Sequence, residues 1–234
     1  MPPAYTIGRA ACLPPYRGAW EAPPWDQAAV AEIAWFHPRS GGHRPATQVK
    51  MLYSAAALHL FFRVQDRHVR CVHTQPQAPV CRDSCVEFFF EPKPGGGYLN
   101  LEANCGGAFL CHHIRDPRRV PGGFADATPL DPAWLARIRV FHSLPARVEP
   151  ELAGPVEWSL EFSLPLALVE AQVGPLGPLP GQTWRGNFQK CADQTSHPHW
   201  ATWAPHDAAQ PLNFHQPAFF APLHFAPAAV TPAP

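Results

Sequence analysis

Glu87 stands in CVEFFFEP, Asn100 and Glu102 in YLNLEAN, and Asn187 and Gln189 in GNFQK. Polar and apolar residues alternate in each segment, so an extended chain gathers each polar set on one face. Carboxylates accept hydrogen bonds, and side-chain amides both donate and accept. A hydroxyl-rich ligand needs that mixture, because every hydroxyl does both. Asn is depleted in strands, so its recurrence on strand faces calls for a reason. If the three segments adjoin, one sheet face displays all five residues. Flat aromatics alongside would stack on the apolar face of a pyranose ring. Trp200, Trp203 and Phe214, in the proline-rich stretch HWATWAPHDAAQPLNFHQP, are the candidates, and Trp203 and Phe214 are the two carried forward. The predicted carbohydrate-binding set is therefore Glu87, Asn100, Glu102, Asn187, Gln189, Trp203 and Phe214. The plain alternative is a solvated sheet face.

The same carboxylates support a rival chemistry. A glycosidase sets two carboxyl groups roughly 5–10 Å apart and raises the pKa of one. Glu87 and Glu91 lie about 13 Å apart along one strand. Glu87 and Glu102 come closer if their strands pair, so an enzyme would use these two as acid and base. In SHPHW, His197 and His199 are two apart and could hold a metal with Asp193, His206 or His215. No zinc signature fits, and among 13 histidines close pairs are common. A haem-binding sandwich is a third reading. It needs a Met/His or His/His pair, and the one internal methionine, Met51, sits on an apolar strand face. The chain shows no nucleophile elbow, phosphate loop or dinucleotide fingerprint. No catalytic residue and no metal ligand is assigned.

These residues need strands to position them. Alternation recurs from about residue 47 to 225, most cleanly in VEWSLEFSL, where Val156, Trp158, Leu160, Phe162 and Leu164 oppose Glu157, Ser159, Glu161 and Ser163. The 31 prolines among 234 residues block helix interiors and central strands. Only Gln27–Phe36 and Pro165–Ala171 could be helical. Eight or more short strands with turns between them predict an all-β, antiparallel β-sandwich of jelly-roll type. Residues 16–226 form the domain, after an N-terminal extension at 1–15 and before a flexible tail at 227–234.

Formal net charge is zero and only 15% of residues are charged, which argues against nucleic acid as a partner. No apolar run approaches a membrane span, and MPPAYTIGRAACLPPYRG has no signal-peptide core. Seven cysteines without a regular framework point to free thiols in a reducing compartment. The expected location is the cytoplasm.

Taken in order, KMLYSAAALHLFFRVQD, RDSCVEFFFEP, YLNLEAN, WRGNFQKCAD and HPHWATWAP…NFHQPAFFAPLHF resemble the carbohydrate-binding module family 9-like proteins of the DOMON-like superfamily. The resemblance covers roughly residues 16–226. It implies a β-sandwich that binds a mono- or oligosaccharide without catalysis, with the sugar held between two tryptophans and a reducing-end unit preferred. Glu87 and Gln189 match sugar-binding positions. Asn100 falls where the family has an arginine and Phe214 where it has a tryptophan. The first tryptophan is replaced near Val80–Cys81, and Trp203 is the expected substitute. Lys190 and Asp193 should face away or pair with each other. Structural calcium is implied by the family, but its carboxylate ligands do not map onto this chain.

Overall fold

The computed structural model describes residues 3–227. The alternating segments all become strands. The chain runs through β1 (Tyr5–Arg9), β2 (Val30–Glu32), β3 (Trp35–Phe36) and β4 (Ala46–Tyr53), then β5 (Ala57–Asp66), β6 (Val69–Cys71), β7 (Cys85–Glu91) and β8 (Tyr98–Asn104). A long hairpin follows, β9 (Phe109–Val120) and β10 (Gly123–Pro129), and after it the one-turn helix α1 (Pro132–Leu135). Next come β11 (Arg139–His142), β12 (Val148–Leu152), β13 (Val156–Pro165) and helix α2 (Leu166–Val173). β14 (Thr183–Cys191), β15 (Trp200–Thr202) and β16 (Ala221–Phe225) complete the order.

One sheet runs β10–β9–β8–β7–β14–β16–β1 and the other β1–β4–β5–β13–β11. Their inner faces supply one core. Val86, Phe88, Leu101 and Phe188 come from the first sheet, and Leu60, Phe62, Trp158 and Phe162 from the second. Burying each of these side chains is worth about 1.5–3 kcal/mol. Phe188 meets Phe62 edge-on across the interface, with ring centroids 6.4 Å apart. Met51 is fully buried here, as its strand face predicts.

Three expectations need correction. Residues 5–9, placed in an N-terminal extension, form β1 and bridge the two sheets. β1 runs parallel to both β16 and β4, so the sandwich is not antiparallel throughout. Gln27–Phe36 is not helical. A short 3-10 turn at Trp25–Gln27 leads into β2 and β3, because pairing with β4 and β15 outcompetes a lone helix. Pro165–Ala171 does fall largely within helix α2. Of the predicted tail, residues 228–234 lie outside the described residues.

The outward face of β13 is exposed at Glu157 but closed off at Glu161. Glu161 is fully buried and accepts from the backbone N–H groups of Tyr16 (3.2 Å), Arg17 (3.0 Å) and Gly18 (3.0 Å) and from the Trp25 indole (2.8 Å). One carboxylate thereby fixes the whole turn before Trp25. Gly18 is required there: its φ is +73°, and an added Cβ would lie 2.5 Å from the Phe141 ring. Glu161→Ala orphans these donors and is expected to cost about 2 kcal/mol in a urea melt. An unchanged midpoint would mean that water replaces the carboxylate without loss.

The inward face of β14 holds a surprise of charge. Lys190 points into the sandwich, its side chain fully buried, with Nζ 3.5 Å from Asp66 Oδ2 and 2.7 Å from His199 Nε2. Asp66 also accepts from the Trp158 indole (3.2 Å) and the Arg67 backbone N–H (2.8 Å), and it pairs with His43 Nε2 at 2.7 Å. Lys190 does face away from the polar row, but its partner is Asp66 and not Asp193.

Candidate functional site

Strand register brings the predicted polar residues together. Gln189 lies opposite Glu87 across β14 and β7, and Glu87 lies opposite Glu102 across β7 and β8. Directly opposed residues have Cα atoms about 4.5–5.5 Å apart, so the three side chains form one row on the outer face. In the next row Asn187 and Asn100 flank Phe89 from either side.

This face is covered, contrary to the usual state of an outer face. The segment after β15 folds over it, and Glu87, Asn100, Glu102, Asn187 and Gln189 are all buried. Most of their polar atoms are spent on the protein. Asn187 donates to the Ala204 carbonyl and accepts from the Ala204 N–H, both at 2.9 Å, and so pins the covering segment. The Gln189 amide donates to the backbone carbonyls of Glu87 (3.2 Å) and Asn187 (3.1 Å). Asn100 donates to Glu102 Oε1 (2.9 Å) and accepts from the His112 N–H (2.6 Å). Glu87 accepts at Oε1 from the Cys191 thiol (3.0 Å), while its Oε2 has no partner among the described residues.

A cleft of about 340 Å³ opens above Glu87 and Glu102. Cys81, Cys191, Asp193, Trp200, Phe214, His215 and Arg119 line it. Asp193 accepts from the Trp200 indole at 2.7 Å, which fixes that ring. His215 Nδ1 lies 2.9 Å from the Tyr98 hydroxyl. Burial raises the Glu87 carboxyl well above the usual carboxylate range, and the neighbouring Glu102 adds to the effect. Glu102 is pushed up to about 7, mainly by burial. Desolvation of its carboxyl raises Asp193, although the residue as a whole is exposed, and burial pushes His215 down to about 3. Near neutral pH the floor therefore retains a carboxyl proton and can both donate and accept.

Of the two aromatics expected at the site, Phe214 lines the cleft and Trp203 does not. It packs inward against Phe188, ring centroids 5.5 Å apart, and Tyr5, 6.3 Å. Trp200 lies opposite Cys191 on the cleft face. The two tryptophans are three apart on an extended segment, and an odd spacing sends them to opposite faces. That spacing was the signal available in the sequence. Arg119, on the exposed end of β9, and His215 carried no such signal.

Calcium takes six to eight oxygen ligands. Among the described residues, the two clusters whose donor atoms lie within 4.8 Å of one another are His68–Glu151–His197 and Cys85–Glu87–Cys191. Both are dominated by nitrogen or sulfur, so neither fits calcium.

A buried polar floor between aromatic walls on a β-sandwich defines a small-ligand binding module. Carbohydrate-binding family 9 matches residues 25–225, and the chain belongs to that family. The fold is similar to that of a protein from Bacteroides uniformis described as carbohydrate-binding, with 24% identity and a TM-score of 0.81. That similarity covers 96% of this chain and 100% of the other. It is also similar to a family 9 module from Caldicellulosiruptor kristjanssonii in complex with cellotriose, at 11% identity and a TM-score of 0.62, over 99% of this chain and 98% of that one. A family 9 module from the same organism in complex with glucose gives 13% identity and a TM-score of 0.57, over 98% and 100%. No curated protein matches the chain.

Proposed function

We propose that the chain is a non-catalytic carbohydrate-binding protein whose cleft takes the terminal unit of a gluco-configured mono- or oligosaccharide. The observation that carries this is the unpartnered Glu87 Oε2, buried at the floor of a cleft walled by Trp200 and Phe214. Glu87, Glu102 and Asp193 exchange hydrogen bonds with ring hydroxyls. Trp200 and Phe214 cover the apolar ring faces, and Arg119 supplies a cation at the mouth. Asn100, Asn187 and Gln189 hold this arrangement in place. The bound sugars of the Caldicellulosiruptor modules give the ligand class. The seven cysteines are all free, which fits a reducing compartment such as the cytoplasm.

A glycosidase is less well supported. Its carboxyl groups flank the scissile bond, whereas Glu87 and Glu102 rise side by side from one floor. Met51, buried in the core, is not placed to ligate a haem iron in the cleft.

Calorimetry with glucose, cellotriose and their reduced alditols tests the reading. Trp200→Ala is expected to weaken binding about tenfold, since one stacking partner is worth roughly 1–1.5 kcal/mol. Trp203→Ala should instead lower the unfolding midpoint. Absence of any sugar binding, or hydrolysis of aryl glycosides that is lost in Glu87→Gln, would overturn it.

A further inference from the structure

Away from the cleft, three donors from three separate parts of the chain meet at one point. His68 sits in the turn between β5 and β6, Glu151 lies on β12, and His197 lies on the loop between β14 and β15. A nitrogen of each imidazole and an oxygen of the carboxylate all lie within 4.8 Å of one another. We propose that His68, Glu151 and His197 form a surface site for a borderline divalent transition metal of the zinc type.

The donor set suits such an ion. Two imidazoles and a carboxylate bind zinc at about 2.0–2.2 Å, which puts ligand atoms roughly 3.4 Å apart in a tetrahedron. Closing from 4.8 Å requires the two stacked rings to turn out of their near-parallel arrangement, because a metal lies in the plane of each imidazole that holds it; His197 is exposed and can turn, while the side chains of His68 and Glu151 are each 20% exposed. The remaining coordination positions face solvent and would take water.

The surroundings are already organised around the focus. Ser196 Oγ lies 2.8 Å from His197 Nδ1 and 3.4 Å from His68 Nδ1, and it also donates to Glu151 Oε1. The hydroxyl donates to Glu151 and can accept from the imidazoles as Nδ1–H tautomers, so it holds the three groups around the position a cation would take. The Ser196 backbone N–H donates to Glu151 Oε2 at 2.9 Å, which orients the carboxylate as outer partners of metal ligands do. The two imidazoles stack with centroids 3.6 Å apart and an interplanar angle of 21°. His43 packs edge-on against both, at 5.5 and 6.3 Å. His68 holds φ at +59°, a left-handed backbone that a non-glycine residue adopts at a cost of order 1 kcal/mol. That conformation turns its ring into the cluster.

The test is titration of tag-free protein with Zn2+ by calorimetry and with Co2+ by visible absorption. Cys12, the exposed thiol, is first replaced by serine. One ion per chain with micromolar or tighter affinity is expected. His197→Ala and Glu151→Gln should each weaken it at least about tenfold, with the metal-free unfolding midpoint unchanged. Ser196→Ala should keep or tighten metal binding, because it removes only the competing hydroxyl. No saturable binding below millimolar metal, binding indifferent to His197→Ala and Glu151→Gln, or loss of binding in Ser196→Ala would each overturn the proposal.

Discussion

Asp66→Ala is expected to destabilise the protein by about 3–5 kcal/mol, because it strands the Lys190 ammonium inside the sandwich. Removing the carboxylate also leaves the Trp158 indole and the Arg67 N–H without their acceptor and frees His43. Burial alone would raise the Asp66 carboxyl. The Lys190 charge and the His43 hydrogen bond outweigh it and hold the group well below the carboxylate range. A depressed carboxyl contributes its stability in full above the unfolded value of about 4. That stability is lost as pH falls through the folded value. The loss in Asp66→Ala should accordingly be largest at neutral pH and shrink in acid. Lys190→Met in the same chain should restore much of it, since a matched apolar replacement of a buried pair is often neutral. Urea melts of the two single variants and the double variant measure the coupling. A cost below about 1 kcal/mol for Asp66→Ala, or no recovery in the double variant, would show that the pair is not the source.

Glu102→Gln should stabilise the sugar-free protein, by an amount that depends on pH. Glu102 is raised to about 7 in the folded state, from an ordinary value near 4.5. A raised carboxyl costs nothing below the unfolded value. Its penalty grows as pH rises and is complete above the folded value, reaching about 3 kcal/mol over this interval. Wild type and Glu102→Gln should therefore be equally stable at pH 4 and differ by about 3 kcal/mol at pH 8. The histidines push the other way. His59 and His206 are lowered to about 4 and His199 and His215 to about 3, in each case chiefly by burial. Each contributes stability that grows as pH rises from its folded value towards 6.5. Subtracting the two pH profiles cancels these histidines and leaves Glu102 together with its effect on Glu87. Parallel profiles would refute a raised Glu102. The same substitution should weaken sugar binding, because affinity at the floor is held at the expense of stability.

The strands and the polar row were legible because they rest on period-two alternation and cross-strand pairing. Glu87, Glu102 and Gln189 could be set side by side from spacing alone. That the row lies buried could not, since nothing local announces that residues after 203 fold over it. Asn187 and Gln189 have the right chemistry for a ligand, yet they spend their amides on the backbone. Lys190 was legible as the residue facing away from Gln189, but a lysine on an inward face reads as an error until Asp66 appears beside it. Tyr5–Arg9 was missed because prolines on both sides read as loop, while the pairing that makes it a strand comes from residues at the far end of the chain.

That pairing governs how the sandwich is made on a ribosome. Tyr5 lies beside Leu223 and Ile7 beside Phe225, among the most distant contacts the chain contains. At roughly 5–20 residues per second, β16 emerges on the order of 10–40 s after β1. Through that interval β1 can hold β4 through Gly8 and Arg9 and through the Tyr5 hydroxyl, which accepts from the Met51 N–H. β14, once made, waits with its β16 edge open until residue 221 follows a few seconds later, a row of unpaired backbone groups that invites other nascent chains. Closure thus waits for β16, and chains stalled short of residue 221 should be the ones that aggregate.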